Sequence, residues 1–246
     1  MLLINGIRAI YFDLDGTLRH NRPSASQAFL DYAVQLGLPD SLPNRQANLR
    51  WVHYYWAQSP ELFIDLAAHG DELSEAFWIQ YAHRCLEAFG ANPAEAERLA
   101  PEVQRMMRQQ YDPIYENVIA EDVRPTLRFL RQAGYCLGLV SNRSTPFTAE
   151  LEKLGLVGYF DFTMAAGEVN AWKPGPEIFR YALDRCGLKP EQAVYVGDNY
   201  YADILGAQNA GLLPVLMDPD HLFPEAACPV IRTIGELRTL LAPQEP

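Results

Sequence analysis

Four short polar segments hold the residues of this 246-residue chain whose types and spacing suit chemistry. The first, Asp13-Leu14-Asp15-Gly16-Thr17, sets two carboxylates one residue apart and follows them with a glycine and a hydroxyl. The second is Ser141-Asn142, the third Lys173-Pro174, and the fourth runs from Gly197-Asp198 to Asp203. Two acids together at the end of an apolar segment cost stability unless a cation or a reaction requires them. Gly16 and Thr17 add backbone N–H groups and a hydroxyl suited to an anion.

The elements that must position these residues alternate in type. The apolar run Ala9–Phe12 reads as a fully buried strand, ended by Gly16. From residue 135 onward, strands are expected at 135–140, 160–165, 193–196 and 213–217, with helices at 146–154, 176–186, 200–210 and 234–241. A further helix is expected at 122–133. Gly155, Gly187 and Gly211 stand just past helix ends, the usual C-cap signal. The repetition predicts an α/β fold with a doubly wound, mostly parallel sheet. In such a sheet all four polar segments converge on the C-terminal strand edge, where ligands bind.

Residues 22–117 read differently, with no strand and with helical segments at 25–36, 44–57, 60–68, 72–89 and 93–111. Pro and Gly breaks separate them, and Asp71 and Asn92 are expected N-caps. The expected organisation is a core of residues 1–20 and 120–246, interrupted by an all-helical cap of residues 21–119. Segments 19–22 and 115–123 are the expected linkers. An insert placed just beyond the catalytic edge is positioned to be a lid.

DxDGT, then SN, then KP, then GDxxxxD, each at its point in the strand–helix series, resembles the four motifs of the haloacid dehalogenase-like superfamily. The insert is similar in position and character to the helical cap of its C1-capped, phosphoglycolate phosphatase-like branch. The resemblance covers residues 1–20 and roughly 120–242 as core and 22–117 as cap. It implies a Rossmann-like core and a Mg2+-dependent phosphatase that hydrolyses a small phosphorylated metabolite through an aspartyl-phosphate.

Each residue can be given a task. Phosphate monoesters hydrolyse so slowly unaided that accelerations up to about 10²¹ are needed, and covalent catalysis splits the step in two. Asp13 is the candidate nucleophile. Asp15 would protonate the leaving oxygen and then deprotonate the attacking water. The resemblance implies that Mg2+ is held by the Asp13 side chain, the Asp15 backbone carbonyl and the Asp198 carboxylate, an oxygen set suited to that ion. Ser141 and Lys173 would hold the phosphoryl oxygens. Asp203 would orient Lys173 or a metal-bound water. Thr17 and Asn142 either touch the phosphate or shape turns, and Arg19 and His20 either contact substrate or form a solvated linker. Asn199 has no assigned role.

Taken singly, the paired aspartates are also turn formers, Ser141-Asn142 is also a helix N-cap, and a Lys-Pro pair carries no information. Their order carries the reading. Asp15 argues against the dehalogenase branch, which lacks that acid. Residues 22–117 contain no lysine, which argues against the phosphonate-cleaving branch and its cap Schiff base. A sugar-phosphate phosphomutase on the same scaffold stays open. A non-catalytic binding protein comes last, because it would lack a motif acid or Lys173.

Twenty basic against 31 acidic residues give a net charge of −11, which argues against nucleic acid as a partner. An anionic substrate must then be met by a local cation. No apolar run approaches the roughly 20 residues of a membrane span, and the N-terminus lacks a signal-peptide pattern. The four cysteines form no CxxC and are expected as free thiols in a reducing cytoplasm. A homodimer stays open, since this cap type is sometimes involved in dimers. The aromatic cluster Trp51, Tyr54, Tyr55, Trp56, Phe77, Trp78 and Tyr81 reads as bundle core, with one or two rings left to line a cavity. Seven arginines and 13 acids in residues 22–117 leave the leaving group unread.

Overall fold

The computed structural model describes residues 6–70 and 74–241 of the chain. The N-cap expected at Asp71 and the start of the helix expected from residue 72 lie outside the described residues. The chain divides into two compact units, residues 1–20 with 118–246, and residues 21–117.

The first unit is built on strand β1 (Ala9–Phe12). The short strands β2 (Arg19–Arg22) and β3 (Glu116–Ile119), in segments expected only as linkers, pair with each other as a separate two-stranded sheet. Strands β4 (Cys136–Ser141), β5 (Phe162–Ala165), β6 (Ala193–Gly197), β7 (Leu213–Met217) and β8 (Val230–Ile231) complete the main sheet. Its order is β5-β4-β1-β6-β7-β8, and the pairings are parallel. The chain runs outward from β1 through β4 to β5, then returns to the other side through β6. The strand order therefore reverses at β1, and its C-terminal end is the switch point where such sheets bind ligands. The expected doubly wound parallel fold is the one observed.

All four residues of β1 are fully buried because both sheet faces are covered. Ile10 and Phe12 pack in one core with Val123, Leu127 and Leu130 of the helix Val123–Gln132. Ala9 and Tyr11 pack in the other with Ile178, Phe179 and Ala182 of the helix Pro176–Cys186. Several bounds differ from expectation. The helix expected at 146–154 shortens to Thr148–Lys153. The one expected at 200–210 opens with a π-helical turn, Tyr200–Leu205, before Gly206–Asn209. The last begins as the 3-10 turn Ile234–Glu236. Strand β8 spans two residues, too few for a periodic signal.

Cys136 and Cys186 form a disulfide, which corrects the expectation of four free thiols; Cys85 and Cys228 are free. The two partners stand 50 residues apart in sequence. One opens β4 and the other ends the helix packed on it, and only the fold makes them neighbours. Among the described residues no helix is long and apolar enough to cross a membrane.

The second unit packs the helices Ala25–Gln35, Leu42–Trp56, Pro60–His69, Glu75–Ala88 and Pro93–Met106, the last continued by a π-helical turn, Met107–Tyr111. Ser24, Ser41 and Ser59 cap three of them, each accepting from a backbone N–H three residues on. Asn92 and Glu95 form a reciprocal capping box, with Pro93 in the first turn. Leu30, Ala33, Ala82, Leu86, Leu99 and Val103 make one core. Tyr55, Leu62 and Phe77 make another, flanked by Trp51, Trp56, Trp78 and Tyr81. The aromatic stripe is thus mostly bundle core, while Trp56, Trp78 and Tyr81 also line a cavity of about 250 Å3.

Candidate active site

Asp13 stands one residue beyond β1, and its backbone N–H donates to the Val196 carbonyl at 2.9 Å. Ser141 ends β4 and Gly197 ends β6, the two strands that flank β1. Lys173 lies just before the helix Pro176–Cys186. The four sequence segments therefore meet around Asp13. Lys173 is the hub: its Nζ donates to Asp13 Oδ1 at 2.6 Å, Asp203 Oδ1 at 2.7 Å and the Tyr195 hydroxyl at 2.8 Å. The Tyr195 hydroxyl in turn donates to the Val140 carbonyl at 2.8 Å.

Burial sets the electrostatics. It pushes the Asp13 carboxyl up, Lys173 opposes, and the neighbouring Asp203 and Asp15 carboxylates push the same way as burial. Burial and the facing Asp203 and Asp13 carboxylates raise the Asp198 carboxyl well above its ordinary value. Burial alone would lower Lys173, but Asp13 and Asp203 outweigh it and hold the ammonium charged.

Carboxylate oxygens of Asp13, Asp198 and Asp203 all lie within 4.8 Å of one another. Asp203 spends one oxygen on Lys173 and the other on the Asn199 backbone N–H at 3.0 Å. Asp198 meets no ammonium or guanidinium in the ion pairs of this site; the Thr17 hydroxyl donates to it at 2.9 Å. One lysine faces three acids, and the donors are all oxygen. That set fits a hard divalent cation such as Mg2+.

Residues 7–211 match the profile of the haloacid dehalogenase-like hydrolases. The chain belongs to that family. Over 231 residues this hydrolase is 29% identical to a phosphoglycolate phosphatase of Salmonella paratyphi A, a match covering 91% of this chain and 86% of the relative. It superposes on a HAD phosphatase from Thermococcus onnurineus with a TM-score of 0.55 and 25% identity, over 96% of this chain and 98% of the other. A 2-haloacid dehalogenase from Pseudomonas syringae pv. Tomato gives a TM-score of 0.54 at 27% identity and the same coverage.

The motif glycines of the hydrolase have steric reasons. Gly16 has φ +88°, and a Cβ there would come within 2.3 Å of the Asp198 carboxylate. A Cβ on Gly197 would come within 2.3 Å of Asp203 Cγ. Both positions let a motif acid fold back against the backbone of a motif glycine.

Asn142 and Thr17, expected either to touch phosphate or to shape turns, make contacts within the protein. The Asn142 amide donates to the Lys173 carbonyl at 2.8 Å and accepts from the Lys173 N–H at 2.7 Å, so it braces the lysine loop. Thr17 spends its hydroxyl proton on Asp198. Asn199, unassigned from sequence, caps the π-helical turn by accepting from the N–H groups of Tyr201 and Ala202. Asp203, expected to orient Lys173 or a metal-bound water, accepts from Lys173 Nζ.

Three site residues of the hydrolase escaped sequence reading. Tyr195 reads only as a strand residue. Arg143 forks onto Asp15, with Nε 2.9 Å from Oδ2 and Nη2 3.2 Å from Oδ1. Glu150 pairs with both Arg143 and Arg19, and Arg19 also pairs with Asp15. The position of Arg143 directly after Ser141-Asn142 was the only available signal. His20 is half-buried; burial holds its imidazole below the ordinary range against a hydrogen bond to the Thr17 carbonyl and the pull of Asp122.

Proposed function

We propose that this hydrolase is a Mg2+-dependent phosphatase of small phosphorylated metabolites that works through an aspartyl-phosphate on Asp13. The observation that carries the reading is the buried Lys173 ammonium bridging Asp13 and Asp203 beside Asp198. A cationic centre next to a strand-tip carboxylate suits the attack of that carboxylate on an anion, which mutual repulsion otherwise opposes. The phosphoglycolate phosphatase relatives support phosphatase activity and make phosphoglycolate the first metabolite to test.

In this reading an Asp13 carboxylate oxygen attacks phosphorus, and the bond from phosphorus to the leaving oxygen breaks. The electron pair leaves with that oxygen, which takes a proton from Asp15. Water then attacks the aspartyl-phosphate and gives its proton to Asp15, releasing phosphate and restoring Asp13. Lys173 and Ser141 hold the phosphoryl oxygens, Asp203 and Asn142 hold Lys173, and Thr17 orients Asp198. Mg2+, held by the Asp13 and Asp198 carboxylates and the Asp15 carbonyl, would supply charge neutralisation at the phosphoryl oxygens.

Phosphate release from p-nitrophenyl phosphate and from phosphoglycolate tests this, with Mg2+ and with EDTA. Activity is expected only with the metal, and Asp13→Asn is expected to lower kcat by more than about 10³-fold. Undiminished turnover in Asp13→Asn overturns the nucleophile assignment. Mg2+ at about 100 times its Kd is expected to stabilise the protein by about 2.7 kcal/mol. The same thermal shift persisting in Asp198→Asn overturns the metal assignment.

A further inference from the structure

Asp15 differs from its neighbours in exposure. Its side chain is 39% exposed, against 9% for Asp13 and 1% for Asp203. A carboxylate so open to water rotates freely unless something holds it, and a proton donor to a fixed oxygen must be held. Arg143 supplies a two-point grip, Nε on one Asp15 oxygen and Nη2 on the other. Arg19 adds a contact to Oδ1.

The grip is itself braced. Glu150, in the first turn of the helix Thr148–Lys153, accepts from Nη1 of both arginines. The Arg143 guanidinium carbon lies 5.4 Å from the ring centre of the buried Phe147. Arg19 is tied to the Asp15 turn through its backbone: its N–H donates to Leu14 and its carbonyl accepts from Gly16 at 2.8 Å. Two guanidinium groups and two carboxylates alternate, so the assembly orients Asp15 without adding net charge beside Lys173. A planar fork fixes a carboxylate in direction as well as in place, which a lysine ammonium cannot do.

We propose that Arg143, braced by Glu150 and Phe147, is the positioning residue that aims the Asp15 carboxyl at the leaving-group oxygen, with Arg19 completing the clamp. The inference rests on the phosphatase reading above, in which Asp15 moves the proton. The fork uses one acceptor site on each Asp15 oxygen and Arg19 takes the second on Oδ1, which leaves a site on Oδ2 for the proton in transfer.

Two substrates of nearly equal shape separate aim from mere structure: p-nitrophenyl phosphate and phenyl phosphate. Phenolate is the more basic leaving group and depends more on a well-placed proton. The readout is the ratio of kcat/KM on the two substrates, which reports the step that breaks the ester bond. In Arg143→Lys and in Glu150→Gln, phenyl phosphate is expected to lose about tenfold more kcat/KM than p-nitrophenyl phosphate, a part of the 10²–10⁴ that general acid–base catalysis supplies. Both variants are read against Asp15→Asn, which is expected to show the same selectivity more strongly. Equal losses on both substrates in Arg143→Lys and Glu150→Gln, with Asp15→Asn still selective, overturn the positioning role alone. Equal losses in Asp15→Asn overturn the acid–base reading of Asp15 and with it the inference.

Discussion

The Tyr195 hydroxyl lies 2.8 Å from Lys173 Nζ, within a strand residue that the sequence marks only as core. It accepts from the ammonium and donates to the Val140 carbonyl, so Lys173 has close acceptors in Asp13, Asp203 and Tyr195 and a longer one in the Val140 carbonyl at 3.3 Å. Tyr195→Phe keeps the ring, which packs edge-on against Phe179, and removes one of those acceptors. A hydrogen bond to a charged group contributes about 1.5–3 kcal/mol. The variant is expected to lose about 2 kcal/mol in urea unfolding and up to about tenfold in kcat, with the protein still folded. A variant as stable and as active as the parent would show that Lys173 is held without the Tyr195 hydroxyl.

Gly16 is expected to tolerate no side chain. Gly16→Ala meets both the positive φ and the Asp198 carboxylate, so Asp198 must rotate away from Thr17. Strain at such a φ costs about 1–3 kcal/mol. The expected result is a lower Tm together with a weakened Mg2+-induced thermal shift. A loss of Tm with the Mg2+ shift intact would assign the glycine to backbone conformation alone.

In the helical unit, Asp65 is 1% exposed and accepts a fork from Arg84 at 2.6 and 2.8 Å, with the Tyr55 hydroxyl at 3.0 Å. Asp65→Asn leaves the Arg84 charge without its partner and is expected to cost about 3 kcal/mol. Adding Arg84→Met to that variant is expected to recover part of the loss, because the pair is then absent as a whole. Chemical denaturation of the single and double variants reads both values, and strictly additive losses would contradict the coupling.

His20 sets a pH dependence. Burial lowers its folded pKa below the ordinary 6.5, and its hydrogen bond to Thr17 and the charge of Asp122 only partly oppose this. The unfolded chain therefore binds the proton more readily than the folded one. Its stabilising contribution is complete above the ordinary value and is lost as pH falls below it, down to the folded pKa. Cooling of Tm between about pH 7.5 and about pH 5.5 is expected to be smaller in His20→Gln than in the parent. Identical slopes in the two proteins would exclude His20 as the source.

Asp13, Asp15, Ser141, Lys173 and Asp198 were legible because each terminates or directly follows an apolar run or precedes a helix with a clear start. A parallel sheet carries every such boundary to one edge, so the register of hydrophobicity locates the site without coordinates. The helices of residues 21–117 were legible from the Pro and Gly breaks between them and from Asn92, while the caps Ser24, Ser41 and Ser59 emerged only with the structure. What remained hidden depends on contacts between residues far apart in sequence. Arg143 and Asp15 are separated by 128 positions, and nothing local to either says that they meet. Tyr195 could not be told from any other buried strand aromatic until Lys173 was seen beside its hydroxyl. Cys136 and Cys186 looked like two isolated thiols. The amide of Asn142 and the hydroxyl of Thr17 suit many polar partners, and only the fold brings them to Lys173 and Asp198.

By itself, then, the sequence determined the family, the parallel sheet and the acids and lysine at its switch point, because residue type and periodicity are local properties that the chain carries in order. Tertiary structure decided which of those groups are paired, which acids cluster, and which arginine holds the exposed acid. Those outcomes depend on burial and on distances between segments, and neither exists until the strands have closed around β1.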